Sequence, residues 1–365
     1  MLVDGVMADV AFVIEHPYID ALACFREPIK ALAARGYGVD VYLRFTAWHP
    51  VPTFRSGDIR FIPIDVTHPG SAGLVARLIA HQPRYAVIFT VPQWSLHCST
   101  VASRITGTPI AYISDELRTD ETRQKARERR EHRRCAFTVA LSDERAAFLR
   151  QLNELPADHP MYVVPNSPPG PSARAVSHYY QDLFGIAAER PVLLHAGSMG
   201  WSPVAGLAQA AAEWGPDQPA LVFQGRLPNQ MNAFESRGSV WFSQTSLPAD
   251  LLNYATSSAH IGLALYDDAK ANDRLMGVAS GKLCLYMRNA LPVITTRLDC
   301  FAWVERERCG LRVSSVAEIP DAARAIARDY DAYVCNVRRY YADHLDFTVN
   351  FEPVAQAVDR LAAVS

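Results

Sequence analysis

A small-residue turn carrying one lysine, Ser280-Gly281-Lys282, opens an amphipathic helical pattern that runs directly into an apolar strand pattern ending at Ile294. These residue types can hold a phosphate. A lysine in the first turn of a helix sits at the positive end of the helix dipole, where it is unfavourable by roughly 0.3–1 kcal/mol unless an anion is near. A bound diphosphate removes that penalty. The backbone N–H groups of Gly281, Lys282 and Leu283 would face the same anion, and Gly281 allows close approach. The segment also reads as an ordinary helix start with a surface lysine, and spacing alone leaves both open.

The elements that must position this turn alternate in kind. In the first half, Asp9–Ile14, Val39–Leu43, Ile59–Ile64, Tyr85–Val91, Pro109–Ile113 and Phe137–Leu141 read as buried strands, separated by helical patterns that argue for a parallel sheet. Leu22, Phe25, Ile29 and Leu32 share a helical face that Gly36 would stop, with Pro28 either kinking that helix or marking its first turn. The second half repeats the scheme with Val192–His195, Ala220–Phe223, Val240–Phe242, Ile261–Leu265, Pro292–Ile294 and Leu311–Val313, joined by patterns such as Pro203–Trp214. Between the halves, the proline-rich stretch Val164–Ser172 suits a linker. Phe351, Val354, Val358 and Leu361 then give a last amphipathic helix behind Pro353.

Size and composition agree with two domains. The chain has 365 residues, above the roughly 250–300 at which one core usually divides. A net charge of −2 with 49% hydrophobic residues describes a globular protein without the basic excess of a nucleic-acid binder. No apolar run approaches the ~20 residues that cross a bilayer, and Met1–Val10 carries Asp4 and Asp9 without a basic leader, so a cytoplasmic protein is expected. The seven cysteines are scattered and never spaced as a metal knuckle. They read as reduced, mostly core residues.

Taken in order, Val192–Gly200, Ala220–Arg226, Ser246-Leu247-Pro248, Tyr266–Asn272 and Ser280–Ile294 resemble the second half of GT-B glycosyltransferases, especially glycosyltransferase family 4 and its relatives. Ala31–Tyr37, Ala111–Glu116 and Val139–Ser142 carry a weaker likeness in the first half. The resemblance implies an α/β fold of two Rossmann-like parallel-sheet domains facing each other across a cleft. The acceptor domain would span residues 1–168 and the nucleotide-sugar domain 169–345, with 346–365 a helix crossing back to the first domain. It implies that Lys282, Ser280 and Gly281 contact a donor diphosphate, that Gly197 and Ser198 face it, and that Leu247 offers backbone groups to the base. Arg226, Tyr266 and Asn272 are further donor-side residues, Arg226 because a guanidinium suits phosphate. Many retaining relatives carry two glutamates seven residues apart, and here their places fall on Gly277 and Leu285. The chain is in this respect closer to inverting relatives of the xanthan glucuronosyltransferase type.

Inverting transfer must neutralise a leaving diphosphate and remove the acceptor proton. Lys282 meets the first need, and the resemblance implies no metal cofactor, with a uridine-type nucleotide sugar as co-substrate. Asp267-Asp268 reads as a solvated loop. For the second need, Asp115 at the end of the strand Pro109–Ile113 is the candidate base, with Glu116 beside it. His16, after the first strand, could touch donor or acceptor or be a loop histidine. Trp48 and Trp94 are sugar platforms or loop packing. The run Arg118–Arg134 is either a docking face for a peripheral membrane contact or a solvated helix with glutamate–arginine pairs. The acceptor expected is a glycan, a lipid-linked saccharide or a natural-product hydroxyl. Alternatives are a nucleotide-sugar epimerase, a silent sugar-nucleotide binder, and a serine hydrolase built on Ala196-Gly197-Ser198-Met199-Gly200 with His260 or His344.

Overall fold

The computed structural model describes residues 9–16, 19–44, 52, 54, 58–65, 68–81, 83–197, 202–215, 217–225 and 235–364. The chain divides into two units, Met1–Asn166 with Phe347–Ser365, and Ser167–Asp346.

The first unit is built from β1 (Val10–Ile14), α1 (Ala23–Ala34), β2 (Val39–Leu43), β3 (Ile59–Pro63), α2 (His68–Ala80), β4 (Val87–Thr90), α3 (Trp94–Thr106), β5 (Ile110–Ser114), α4 (Arg123–His132), β6 (Phe137–Ala140), α5 (Asp143–Leu152) and β7 (Met161–Val163). Among the described residues its sheet has seven strands in the order β3-β2-β1-β4-β5-β6-β7, every neighbour parallel. Strand order reverses between β1 and β4, so the segments after these strands flank the ligand crevice of a doubly wound sheet. All five residues of β1 are fully buried, as a central parallel strand covered on both faces requires. The short strand β7 has no counterpart among the sequence-predicted strands, because its three half-buried residues are too few to show a period.

Pro28 lies inside α1, where it removes one helical hydrogen bond while Phe25, Ile29 and Leu32 stay fully buried. The helix stops at Gly36, whose φ of +96° is open to glycine.

The second unit holds α6 (Tyr179–Phe184), β8 (Val192–Ala196), α7 (Ser202–Ala212), β9 (Ala220–Gln224), β10 (Val240–Ser243), α8 (Ala249–Thr256), β11 (Ile261–Ala264), α9 (Ala271–Arg274), α10 (Gly281–Arg288), β12 (Val293–Thr296), α11 (Ala302–Arg306), β13 (Gly310–Val313), α12 (Ile319–Arg328) and α13 (Tyr330–Tyr340). Its sheet, again among the described residues, is six parallel strands in the order β10-β9-β8-β11-β12-β13. The order reverses between β8 and β11. The proline-rich stretch is not a free tether from Ser167 onward, since Gly170 N–H donates to Asp346 Oδ1 at 3.0 Å and Ala173 N–H to the Arg288 carbonyl at 2.9 Å.

The last helix, α14 (Phe347–Ala362), returns to the first unit and packs on α1, β4 and β7. It starts before Pro353 rather than behind it. The hydrogen bond that Pro353 lacks would have gone to the Val349 carbonyl on a water-facing turn, where both residues are exposed. Phe351, Val354 and Val358 are buried, while Arg35 meets Glu352 at 3.1 Å and Asp359 at 2.6 Å on the outside.

Candidate active site

In the second unit the site grows from a wedge. Gly262 in β11 leaves room for the Tyr286 ring of α10, which lies where any Cβ would be, 2.2 Å from its ideal position. The fully buried tyrosine hydroxyl accepts the Ala196 N–H at 2.7 Å and donates to the Leu263 carbonyl at 3.3 Å. It thereby stands in for ladder bonds between β8 and β11, whose direct pairing is limited to Ile261 with Leu193 and Gly262 with Leu194. The sheet opens at the C-terminal ends of these strands.

Gly197 follows β8 there with φ +130°, its N–H donating to the Gln224 carbonyl at 2.9 Å. Its own carbonyl touches Gly225, where an added Cβ would stand 1.7 Å away, so the turns after β8 and β9 meet backbone to backbone. Lys282 reaches the same place, with Cε 3.5 Å and Nζ 3.6 Å from the ideal Cβ position of Gly197.

Lys282 is half-buried, and its Nζ is 3.4 Å from His195 Nε2 and 5.0 Å from the centre of the Tyr266 ring. Burial pushes the amine down to about 8, with buried Asp273 pulling the other way. Burial and the Lys282 charge hold His195 far below the usual histidine range, so it stays neutral. A neutral imidazole accepts through Nε2 with its proton on Nδ1. Sequence reasoning did not single out His195, Asp273 or Tyr286. A histidine ending an otherwise apolar strand and a glycine inside Ile261–Leu263 were the available signals.

Ser280 caps α10: its Oγ accepts the Leu283 N–H at 3.3 Å and pairs with the Tyr266 hydroxyl at 2.6 Å. This corrects the expectation for Leu283, whose N–H is turned to the cap. Tyr266 is buried and stacks on Phe301. Leu247 packs on the core after β10, and Asn272 is half-buried in α9. Gly281 opens the first turn of α10. Asp267 and Asp268 are exposed, and Asp267 Oδ1 accepts the Ala269 N–H in a local turn. Gly277, with φ +37°, and half-buried Leu285 offer no acid at the places of the two glutamates. Ser198, Arg226 and Trp48 lie outside the described residues.

In the first unit, His16 follows β1 and Asp115 follows β5, and the fold pairs them with Nε2 2.8 Å from Oδ2. Asp115 is nearly buried, and its main chain is held by Arg145 Nη1 on the carbonyl at 2.9 Å. Burial pulls the His16 imidazole down, but the hydrogen bond and charge of Asp115, with Glu15 and Glu116 nearby, raise it overall. Glu116 is exposed and 3.8 Å from Arg118. Trp94 begins α3, is half-buried against the core, and donates its indole N–H to Ser71 Oγ at 2.7 Å.

Both histidines of the hydrolase alternative have other neighbours. His260 Nδ1 accepts the N–H of Val192 at the start of β8, a whole strand of roughly 16 Å from Gly197 at its other end. His344 lies tilted against the Tyr340 ring, with 4.5 Å between ring centroids.

No protein-family model matches the chain, and no curated protein does. Solved structures do. Sucrose-phosphate synthase from Thermosynechococcus elongatus superposes with a TM-score of 0.71 at 16% identity, covering 98% of this chain and 100% of that one. The fold is GT-B. HepE of Anabaena, solved in complex with UDP and glucose, gives 0.66 at 13% identity over 97% of this chain and 100% of its own. A glycosyltransferase of Rickettsia africae gives 0.68 at 12% identity over 98% and 100%. In this chain, Gly197 and Lys282 converge at the C-terminal end of the second sheet, where its strand order reverses.

Proposed function

We propose that this protein is a glycosyltransferase that moves a sugar from a uridine-diphosphate donor to an acceptor hydroxyl with inversion of configuration. The observation that carries it is the Lys282 amine beside the Gly197 turn, at the point where the second sheet's strand order reverses. Several GT-B neighbours were solved with UDP, which favours uridine among the bases.

In the reaction, the bond from the anomeric carbon to the diphosphate breaks and the diphosphate leaves with the electron pair. Lys282 and the first turn of α10 stabilise that charge. The acceptor oxygen bonds to the same carbon, and its proton goes to His16. Asp115 moves from base to partner in this reading, because it fixes the Nε2 proton of His16 and leaves the Nδ1 lone pair as the base. Donor charge is met by protein groups, so transfer is expected to persist in EDTA. The acceptor is a glycan, lipid-linked saccharide or natural-product hydroxyl.

The test is a melting-temperature series with nucleoside diphosphates, since a ligand stabilises by an amount set by its concentration over Kd. UDP should raise the transition most. Equal shifts for all bases, or none, would reject the donor assignment, and turnover of UDP-sugar without acceptor would reject transfer.

A further inference from the structure

The run Arg118–Arg134 mixes arginine with glutamate in sequence, and the fold separates the two. On α4 the Glu128 carboxylate is buried, bound to Lys125 Nζ at 2.8 Å and to the Tyr112 hydroxyl at 3.1 Å. Glu131 is buried as well and meets His97 Nδ1 at 2.7 Å. The exposed acids Glu121 and Glu154 are paired with Arg129 and Arg133. The expected surface pairs three and four apart therefore do not form: the one such pair, Lys125 with Glu128, points inward.

What remains outside is a stripe of arginines. Arg123, Arg127 and Arg130 recur one helical turn apart, and Arg134 follows in the turn after α4; all four are exposed. None has a carboxylate partner within 4.0 Å among the described residues. The stripe is held rigidly from beneath, because Asn153 Nδ2 bonds His132 Nδ1 at 2.8 Å and His132 Nε2 bonds Thr138 Oγ1 at 2.7 Å. The neighbouring helix α3 has exposed Arg104 and Ile105 in its last turn, the latter 62% exposed.

We propose that this arginine face of α4 seats the first unit on an anionic lipid surface. A net charge of −2 makes the basic character local rather than global. The stripe presents charge along one helix of about 15 Å, as a planar headgroup layer accepts it. A single-stranded nucleic acid or a neutral sugar chain would call for aromatic platforms. Among the described residues, the exposed large hydrophobic side chains of this unit are Ile105, Val349 and Val364, none aromatic.

The experiment is co-sedimentation of the full chain with vesicles of phosphatidylcholine alone or with added phosphatidylglycerol. Binding is expected only with the anionic lipid and should vanish as salt rises from about 0.1 M to 0.5 M, where screening shortens to a few ångströms. Each arginine near an anionic surface contributes about fivefold to partitioning. Arg127→Gln and Arg130→Gln should therefore each weaken it about fivefold, and the variant with Arg123, Arg127, Arg130 and Arg134 all changed to glutamine by roughly several hundredfold, with an unchanged melting temperature. No binding to anionic vesicles, equal binding to both vesicle types, full binding by the single variants, or tighter binding to a single-stranded oligonucleotide than to vesicles would each overturn the proposal.

Discussion

At the scale of single residues, the amine of Lys282 and the imidazole of His16 are set up in opposite directions. Burial lowers Lys282 to about 8, so the unliganded amine loses its proton through that pH. Diphosphate favours the charged form and raises the amine, so binding takes up a proton wherever the free amine is neutral. UDP affinity should accordingly be flat below neutrality and fall above about pH 8, by at most tenfold per pH unit. Isothermal titration in two buffers of different ionisation heat reads this uptake, and Lys282→Ala should remove both the affinity and its slope. His16 is raised by Asp115 despite burial. As a base it works only when neutral, so the acid limb of kcat/KM lies above the ordinary histidine value. Asp115→Asn should move that limb to lower pH while lowering the rate. His16→Ala should cost about 10²–10⁴-fold. A limb that stays in place in Asp115→Asn would separate the two residues.

Elements explain why some of this was legible in the sequence and some was not. Apolar runs such as Val10–Ile14 and Val192–Ala196 are strands because parallel sheets bury both faces, and their alternation with helices gave the two-fold repeat. The Ser280 cap of α10 follows from local chemistry, a serine hydroxyl before an amphipathic helix. The Tyr286 wedge does not, because it depends on Gly262 of a different element. Likewise the pairing of His16 with Asp115 joins residues after β1 and β5, which only the strand order brings together. Cysteines behaved as composition suggests: six are buried and Cys335 is exposed, all as free thiols. Tyr286→Phe tests the wedge. It leaves the Ala196 N–H buried without its acceptor, at a cost of about 1–3 kcal/mol, and should also weaken UDP binding by loosening the turn at Gly197. Stability loss with unchanged UDP affinity would mean that the wedge holds the sheet but not the site.

For the whole molecule, the chain completes one unit only after building the other: the helix Phe347–Ala362 belongs to the first unit and packs on its sheet. Among the described residues no helix is long and apolar enough to cross a membrane. The integrity of the first unit thus depends on a segment that follows the whole second unit in the chain. Phe351 is its anchor, buried at 3% exposure against a small apolar cavity lined also by Cys24, Pro28, Phe89, Ile113 and Val164. Phe351→Ala should cost about 3–5 kcal/mol, because truncating a buried aromatic removes its transfer energy and leaves a void. Hydrogen exchange locates the effect. Amides of β4 and β7, the strands that α14 covers, should lose protection, while those of β8 to β13 keep theirs and UDP still protects the turn at Gly197. Loss of protection spreading into β8–β13 would show that the last helix supports both sheets, and that the two units do not unfold as separate bodies.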